Sequence, residues 1–502
     1  MKKIFILIVT LCTCLSCNED FLEENPRSVL NPAGFYVEEA GLIAGVNAAY
    51  ANLRGLYGEQ EAPFRLSILG TDLFTYGKAE LGLPFDYYNP DLNAFADEVE
   101  FIWTTCYKMI NISNSVIKSA GEVEMDQQRK TQLISEAKFI RALSYFWLVQ
   151  QFGDVPLRLD PTVGATREAT RAPQSEVYQI IIEDLNYAGS HLESNYSQWG
   201  RIRKGAAKHL LSKVYLTLEE WDTAADLAIE VIEDPTYQLL DNFSDIFHHE
   251  NQINSEIIFS VQYENDPTNS GNGNRTHLFF TNSYSDIPGM KRVLQWGRPW
   301  TRYAPTSFLM NLYDEEKDER TDIWRKFETY YYNDESSLPE GKNLGDPVDP
   351  IWENTIEFHP ALIKYWDPTR PNPNEARGNK DFIVFRLGET YLIAAEALMM
   401  AGNTGDAVRY FNEIRKRAAR PGENLEITAG ELDVDMILDE RARELAGEMH
   451  RWFDLVRTDK ALERIRNYSA NGQGIETRHL LRPIPQIEID RLAEPIEQNP
   501  GY

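Results

Sequence analysis

Cysteine is nearly absent from this chain. Four occur in 502 residues, and three of them, Cys12, Cys14 and Cys17, sit at the extreme N-terminus. Only Cys106 lies in the body of the chain, so no intramolecular disulfide can form there. A chain this long buries enough apolar surface to fold as one or two domains without such a staple. The common catalytic signatures are missing too. There is no HExxH, no GxSxG, and no CxxC beyond Cys17. Gly271-Asn272-Gly273 lacks the third glycine of a dinucleotide loop and opens no helix. His248-His249-Glu250 is the nearest approach to a metal cluster, but adjacent side chains on a loop or strand point apart. No cofactor or metal is therefore implied. Positive charge is in short supply, with 50 Lys and Arg against 78 Asp and Glu and a net charge of −28. Such a surface repels phosphate backbones and makes nucleic acid a poor partner. The acids are dispersed, as on a solvated surface, and form no acidic tail.

One apolar run stands out, and it is too short to cross a membrane. Ile4–Leu11 follows Lys2 and Lys3, which together read as the apolar and basic regions of a targeting segment. Cys14-Leu15-Ser16-Cys17 resembles a lipoprotein signal-peptidase site, with Cys14 where leucine is usual. Cleavage before Cys17 would free its thiol and amine for acylation; a plain secretory signal is the alternative. Several acyl chains, at about 0.8 kcal/mol per buried CH₂, anchor a protein stably where one chain does not. Residues 17–35, with Pro26 and Pro32, then read as a tether.

Helical periodicity dominates much of the remainder. Ile383–Thr458 contains two helices rich in Ala394, Ala395, Ala397 and Ala401, separated by the short break Gly402–Gly405, with Thr404 as N-cap. A third stripe, Leu438, Ala442, Leu445, Met449, Trp452 and Val456, predicts one further continuous helix. A shift of 182 positions carries Leu210 onto Leu392, Leu216 onto Leu398, Ala225 onto Ala407 and Ile232 onto Ile414. A repeated helical hairpin argues for tetratricopeptide-like stacking, in which each copy buries its face against another. Glu440, Glu444 and Glu448 share one helix face with Arg441, Arg443 and Arg451 close by, and read as an ion-pair network locking helices together.

Three stretches also carry a resemblance. Phe385–Ala397 (FRLGETYLIAAEA), Asn412–Ala418 (NEIRKRA) and Leu438–Arg457 (LDERARELAGEMHRWFDLVR) resemble the C-terminal signature of the SusD/RagB family. Ala137–Phe146, Phe152–Leu157, and Gly200-Arg201 through Tyr215-Leu216 are similar to the same family in the first half. The resemblance is weakest between residues 235 and 380. It implies a mostly α fold, a tetratricopeptide-like scaffold with a loop-rich, irregular half. It also implies a glycan-binding lipoprotein, anchored at the cell surface of the outer membrane through Cys17, that partners a TonB-dependent, SusC-like transporter. On this reading residues 1–16 are the signal peptide and 17–35 the lipidated tether. Residues 36–234 are an N-terminal helical part, 235–380 a loop-rich ligand-binding part, 381–460 a C-terminal helical part, and 461–502 a tail packed on the scaffold.

The loop-rich stretch holds five of the ten tryptophans, Trp296, Trp300, Trp324, Trp352 and Trp366. Each is either a core plug or part of a ligand surface. Sugars offer apolar C–H faces to aromatic rings and hydroxyl rims to Asp, Asn and Arg; one buried ring face contributes roughly 1–3 kcal/mol. Trp296, Arg298, Trp300, Arg302 and Tyr303 supply these groups in one loop, and Asp72, Tyr76, Tyr87, Tyr88 and Asn89 in an earlier one. Ligand is expected between the two. A helical glycoside hydrolase or lyase needs only two carboxylates and stays an alternative, as does a peptide-capturing or lid subunit of the same transporter type.

Overall fold

The computed structural model describes residues 35–502, apart from 79–82, 165–166, 197 and 353–354. The targeting segment, Cys17 and nearly all of the tether lie outside the described residues. The first half is built from α1 (Glu39–Leu56), α2 (Asp97–Ala120), α3 (Gln127–Phe152) and α4 (Gln174–His191), followed by the hairpin α5 (Lys204–Thr217) and α6 (Trp221–Ile232). A second hairpin, α7 (Leu387–Met400) and α8 (Thr404–Ala418), precedes α9 (Val434–Glu444), α10 (Arg451–Arg457) and α11 (Ala461–Tyr468). Local chemistry sets the ends. The Asp126 carboxylate accepts from Arg129 N at 2.8 Å to start α3, and Gly153 stops it at φ 72°.

The repeat is real in space. Shifted by 182 positions, α5 and α6 coincide with α7 and α8 to within one residue at three of the four helix ends. The two hairpins also pack on each other. Ala224, Ala225 and Ala228 of α6 share a buried cluster with Ile393, Ala394 and Ala397 of α7. Small side chains on both faces let the backbones approach, which is how a repeat hides an apolar face it cannot bury alone. The cap of α8 is Asn403, not Thr404: its Oδ1 accepts from Asp406 N.

The third stripe does not form one helix. It breaks between Glu444 and Arg451, with Gly447 at φ 81° and Met449 at φ 62°. The reason is electrostatic. The Glu444 carbonyl accepts from Arg386 Nη2 at 2.7 Å and Lys364 Nζ at 2.8 Å, and so is spent on cations. The expected ion-pair network exists and keeps Arg443 on Glu440, but its other partners differ. Glu440 meets Arg320, Arg415 and Arg443 at 2.6–2.7 Å. Glu444 meets Arg386, Arg320 and Arg417, and Glu448 meets Arg386 and Lys364. Arg441 turns to Asp454, and Arg451 reaches Asp72.

Between the hairpins the chain is irregular, and the strands of the whole fold form, among the described residues, four two-stranded antiparallel ladders. These pair β1 (Phe74–Tyr76) with β5 (Tyr303–Pro305), and β2 (Val155–Pro156) with β3 (Arg171–Ala172). Likewise β4 (Ile257–Val261) pairs with β8 (Phe382–Arg386), and β6 (Trp324–Arg325) with β7 (Ala361–Leu362). β8 runs directly into α7, so the β4–β8 ladder pins the irregular region to the repeat. That region has its own satellite core of Tyr284, Trp296, Tyr330, Tyr332 and Phe358. Among the described residues, no helix is long and apolar enough to cross a membrane.

Candidate functional site

The β1–β5 ladder brings the two aromatic loops side by side. Thr75 faces Ala304, Tyr76 faces Tyr303, and Gly77 N donates to Arg302 O at 2.9 Å. A Cβ at Gly77 would stand 2.1 Å from Thr301 O, so only glycine allows this approach.

Beside the ladder lies an open cleft of about 360 Å³, walled by Phe101 of α2, the short helix Ala62–Ser67, Arg275, Trp300 and Arg302. Trp300 is half-buried, but its ring is not a bare platform. Phe279 packs against it at 6.0 Å, and the guanidiniums of Arg275, Arg302 and Arg298 stand 4.6, 5.1 and 5.9 Å from its centroid. Arg302 Nε and Arg65 Nη2 both donate to Glu61 Oε2, at 2.8 and 2.5 Å, and Arg65 also pairs with Glu98. The acids of this wall are thus largely matched. Burial pushes the Arg298 guanidinium below its ordinary pKa, and Arg292 beside it adds to the shift.

Four of the residues expected on the ligand surface are buried and leave it. Asp72 is fully enclosed and accepts from Arg451 Nε at 2.7 Å, Arg451 Nη2 at 2.5 Å and Arg464 Nε at 3.1 Å, tying the early loop to α10 and α11. Burial pushes its carboxyl up, but Arg451 and Arg464 outweigh this and hold it below the usual carboxylate range. Tyr88 donates its hydroxyl to Gly70 O at 2.9 Å and stacks on Trp452. Trp296 plugs the satellite core, with Tyr284 and Tyr330 at 5.3 and 5.2 Å. Tyr303 stacks on Phe64 inside the main core. Tyr76 and Tyr87 form a ring pair at 6.1 Å, outside the cleft lining, with Tyr87 39% exposed. Asn89 Oδ1 accepts from Asp91 N and closes a turn.

Of the residues named from sequence, Trp300 and Arg302 line this cleft, and Arg298 borders the same ring. Glu61 and Arg65 at one short helix, Phe101 of α2 and Arg275 join them without any sequence signal, since they come from three separate segments. His249 Nε2 lies 2.9 Å from Asn379 Oδ1, and no group of three His, Cys, Asp or Glu among the described residues could hold a metal ion.

Comparisons with known proteins fit this architecture. Residues 255–502 match the model of the SusD family, and residues 20–216 match a model described as starch-binding, associating with outer membrane. SusD-like protein P25 of Formosa agariphila is 28% identical, with 100% of this chain and 99% of the relative covered. The starch-binding protein SusD of Bacteroides thetaiotaomicron is 27% identical over 73% of this chain and 72% of its own. A solved structure of a laminarin binding SusD-like protein superposes with a TM-score of 0.74 at 26% identity, covering 93% of this chain and all of the other. Two family models covering both halves, relatives aligned along the whole length and the shared helical architecture agree: the chain belongs to the SusD/RagB family.

Proposed function

We propose that this protein is a surface lipoprotein of the outer membrane, anchored through Cys17, that binds oligosaccharide in the Trp300 cleft and delivers it to a TonB-dependent, SusC-like transporter without cleaving it. The observation that carries this reading is the cleft itself. It is an open concavity in which an indole, a phenyl ring and several guanidiniums converge on a rigid helical scaffold. Relatives described as starch-binding and laminarin binding support the glycan. Because the walls come from residues 59–101 as well as 275–302, the ligand surface on this reading is not confined to the loop-rich part.

A shallow site of this kind should bind with a Kd of roughly micromolar to millimolar, about −8 to −4 kcal/mol. Isothermal titration of the purified protein with a glycan panel is the direct test. Trp300→Ala should lose detectable binding while circular dichroism and cooperative melting persist. Undiminished binding by this variant would place the site elsewhere. New reducing ends in the same incubations would overturn the non-enzymatic reading in favour of a glycoside hydrolase or lyase.

A further inference from the structure

We propose that the glycan is anionic, bearing carboxylate or sulfate groups that are met by a set of arginines grouped around and behind Trp300. This rests on the glycan-binding reading and narrows it to a substrate class.

The protein is acidic, with 78 Asp and Glu against 50 Lys and Arg, so carboxylates outnumber the cations they could meet. Arg65, Arg302, Arg320 and Arg386 all have carboxylates. Other arginines among the described residues lack a carboxylate, Arg171, Arg203 and Arg482 for instance, but next to Trp300 such arginines act on one another: Arg275 and Arg292 on Arg298, and Arg298 on Arg370. Among the described residues, Arg275, Arg292, Arg298, Arg370 and Arg377 form no ion pair within 4.0 Å. Their recorded side-chain contacts are with neutral acceptors. Arg298 Nη1 donates to Asn374 O at 2.6 Å, Arg292 Nη1 to Asn374 Oδ1 at 3.4 Å, and Arg370 to the carbonyls of Asp367 and Glu375 at 3.1 and 3.2 Å.

Several donors have no acceptor at all. Arg298 Nε, Arg370 Nη2, and both Nε and Nη2 of Arg377 are shielded from solvent and unpartnered. Arg370 is only 3% exposed. A buried donor left unmade is costly, and native proteins keep few of them. Here they cluster, and like charges drawn together add repulsion. The acids that act on the group are bonded to other donors. Asp367 accepts from Asn379 N and Thr369 N, and Glu375 from Arg377 N. Glu59, on the cleft wall, is bonded to Asn272 and Gln60. Burial depresses the Arg370 guanidinium, and burial with Arg370 beside it brings His277 to about 3, leaving a neutral ring that donates Nε2–H to Ala376 O and adds no positive charge of its own.

An oxyanion resolves this arrangement. Planar guanidiniums match carboxylate and sulfate oxygens in a bidentate fashion, and such charge-assisted bonds are the strong ones. The faces of Trp300 are already engaged by Phe279 and Arg275, which favours recognition of charge over stacking on a bare ring. The anion belongs at Arg275 and Arg298, the two guanidiniums at the Trp300 ring that meet no carboxylate.

Titration calorimetry of the purified protein tests this with paired probes. One pair is hexagalacturonate and its methyl-esterified form. The other is a sulfated galactan oligosaccharide and its desulfated form. Neutral laminarihexaose is the reference. One charged probe should bind about ten-fold or more tighter than its neutral counterpart, and which one distinguishes uronate from sulfate recognition. Raising NaCl from about 0.05 to 0.5 M should weaken that binding selectively. Arg298→Gln combined with Arg275→Gln should bring the charged probe to within about two-fold of its neutral form with an unchanged melting temperature, because both side chains are part-exposed. Equal affinity for charged and neutral forms overturns the anionic assignment while the glycan-binding reading stands. No binding of any probe overturns both.

Discussion

At the scale of single residues, two tryptophans four positions apart have opposite roles. Both looked alike in a loop of rings and guanidiniums, and residue type alone does not say which way a side chain points from an irregular backbone. Trp296 fills the satellite core, whereas Trp300 borders the cleft. Trp296→Ala should therefore cost about 3–5 kcal/mol, the usual effect of emptying a buried aromatic site. Urea denaturation should show a lower midpoint, and unchanged stability would mean that the ring is not a core plug. Asp72 carries the same lesson for charge. A carboxylate in a ligand loop reads as a hydroxyl acceptor, but Arg451 and Arg464 lie 379 and 392 positions away and no local pattern announces them.

At the scale of elements, periodicity read the helices well and their interruptions poorly. The apolar stripe from Leu438 to Trp452 is buried throughout, as its spacing requires, yet the helix breaks because cations claim the Glu444 carbonyl. Those cations also set a pH dependence. Burial pushes the Glu444 carboxyl up, but Arg417, Arg386 and Arg320 pull it down to about 2, and Arg441 and Arg457 do the same for Asp454, also to about 2. Unfolded values are about 4.3 for Glu and 3.9 for Asp. The folded state therefore binds fewer protons in this range. The resulting stability is fully present above about pH 4.5 and is lost as pH falls toward 2. Thermal melts from neutral pH downward should show a steep fall in Tm below that point, and a Tm that stays flat to about pH 2.5 would refute the ionised network.

At the scale of the whole molecule, two stacked helical hairpins hold irregular loops in fixed relation, and the cleft joins Glu61 to Arg302 across 241 positions of sequence. The scaffold spends its alanines and leucines on packing, so recognition falls to the loops. The proposed anchor is separable from this body. Cys17→Ala should release the protein from membranes into the soluble fraction with its melting curve intact. Retention in the outer membrane after a high-salt wash, in cells lacking the partner transporter, would rule out lipidation at Cys17.

The helical class, the repeated hairpin, the ion-pair role of the signature helix and the family were legible in the chain by itself. All four rest on short-range order: periodic apolar positions, small residues at fixed offsets and contiguous motifs whose spacing survives in the sequence. The composition of the cleft was not legible. Phe101, Arg275, Trp300 and Glu61 come from four segments with no common period, and only the β1–β5 ladder and the packing of the loops on α2 bring them together. Tertiary structure alone also decided which charges are paired. An arginine's partner is set by proximity in space, so the unpaired guanidiniums of Arg275 and Arg298 beside Trp300 have no signature in a chain whose acids outnumber its bases.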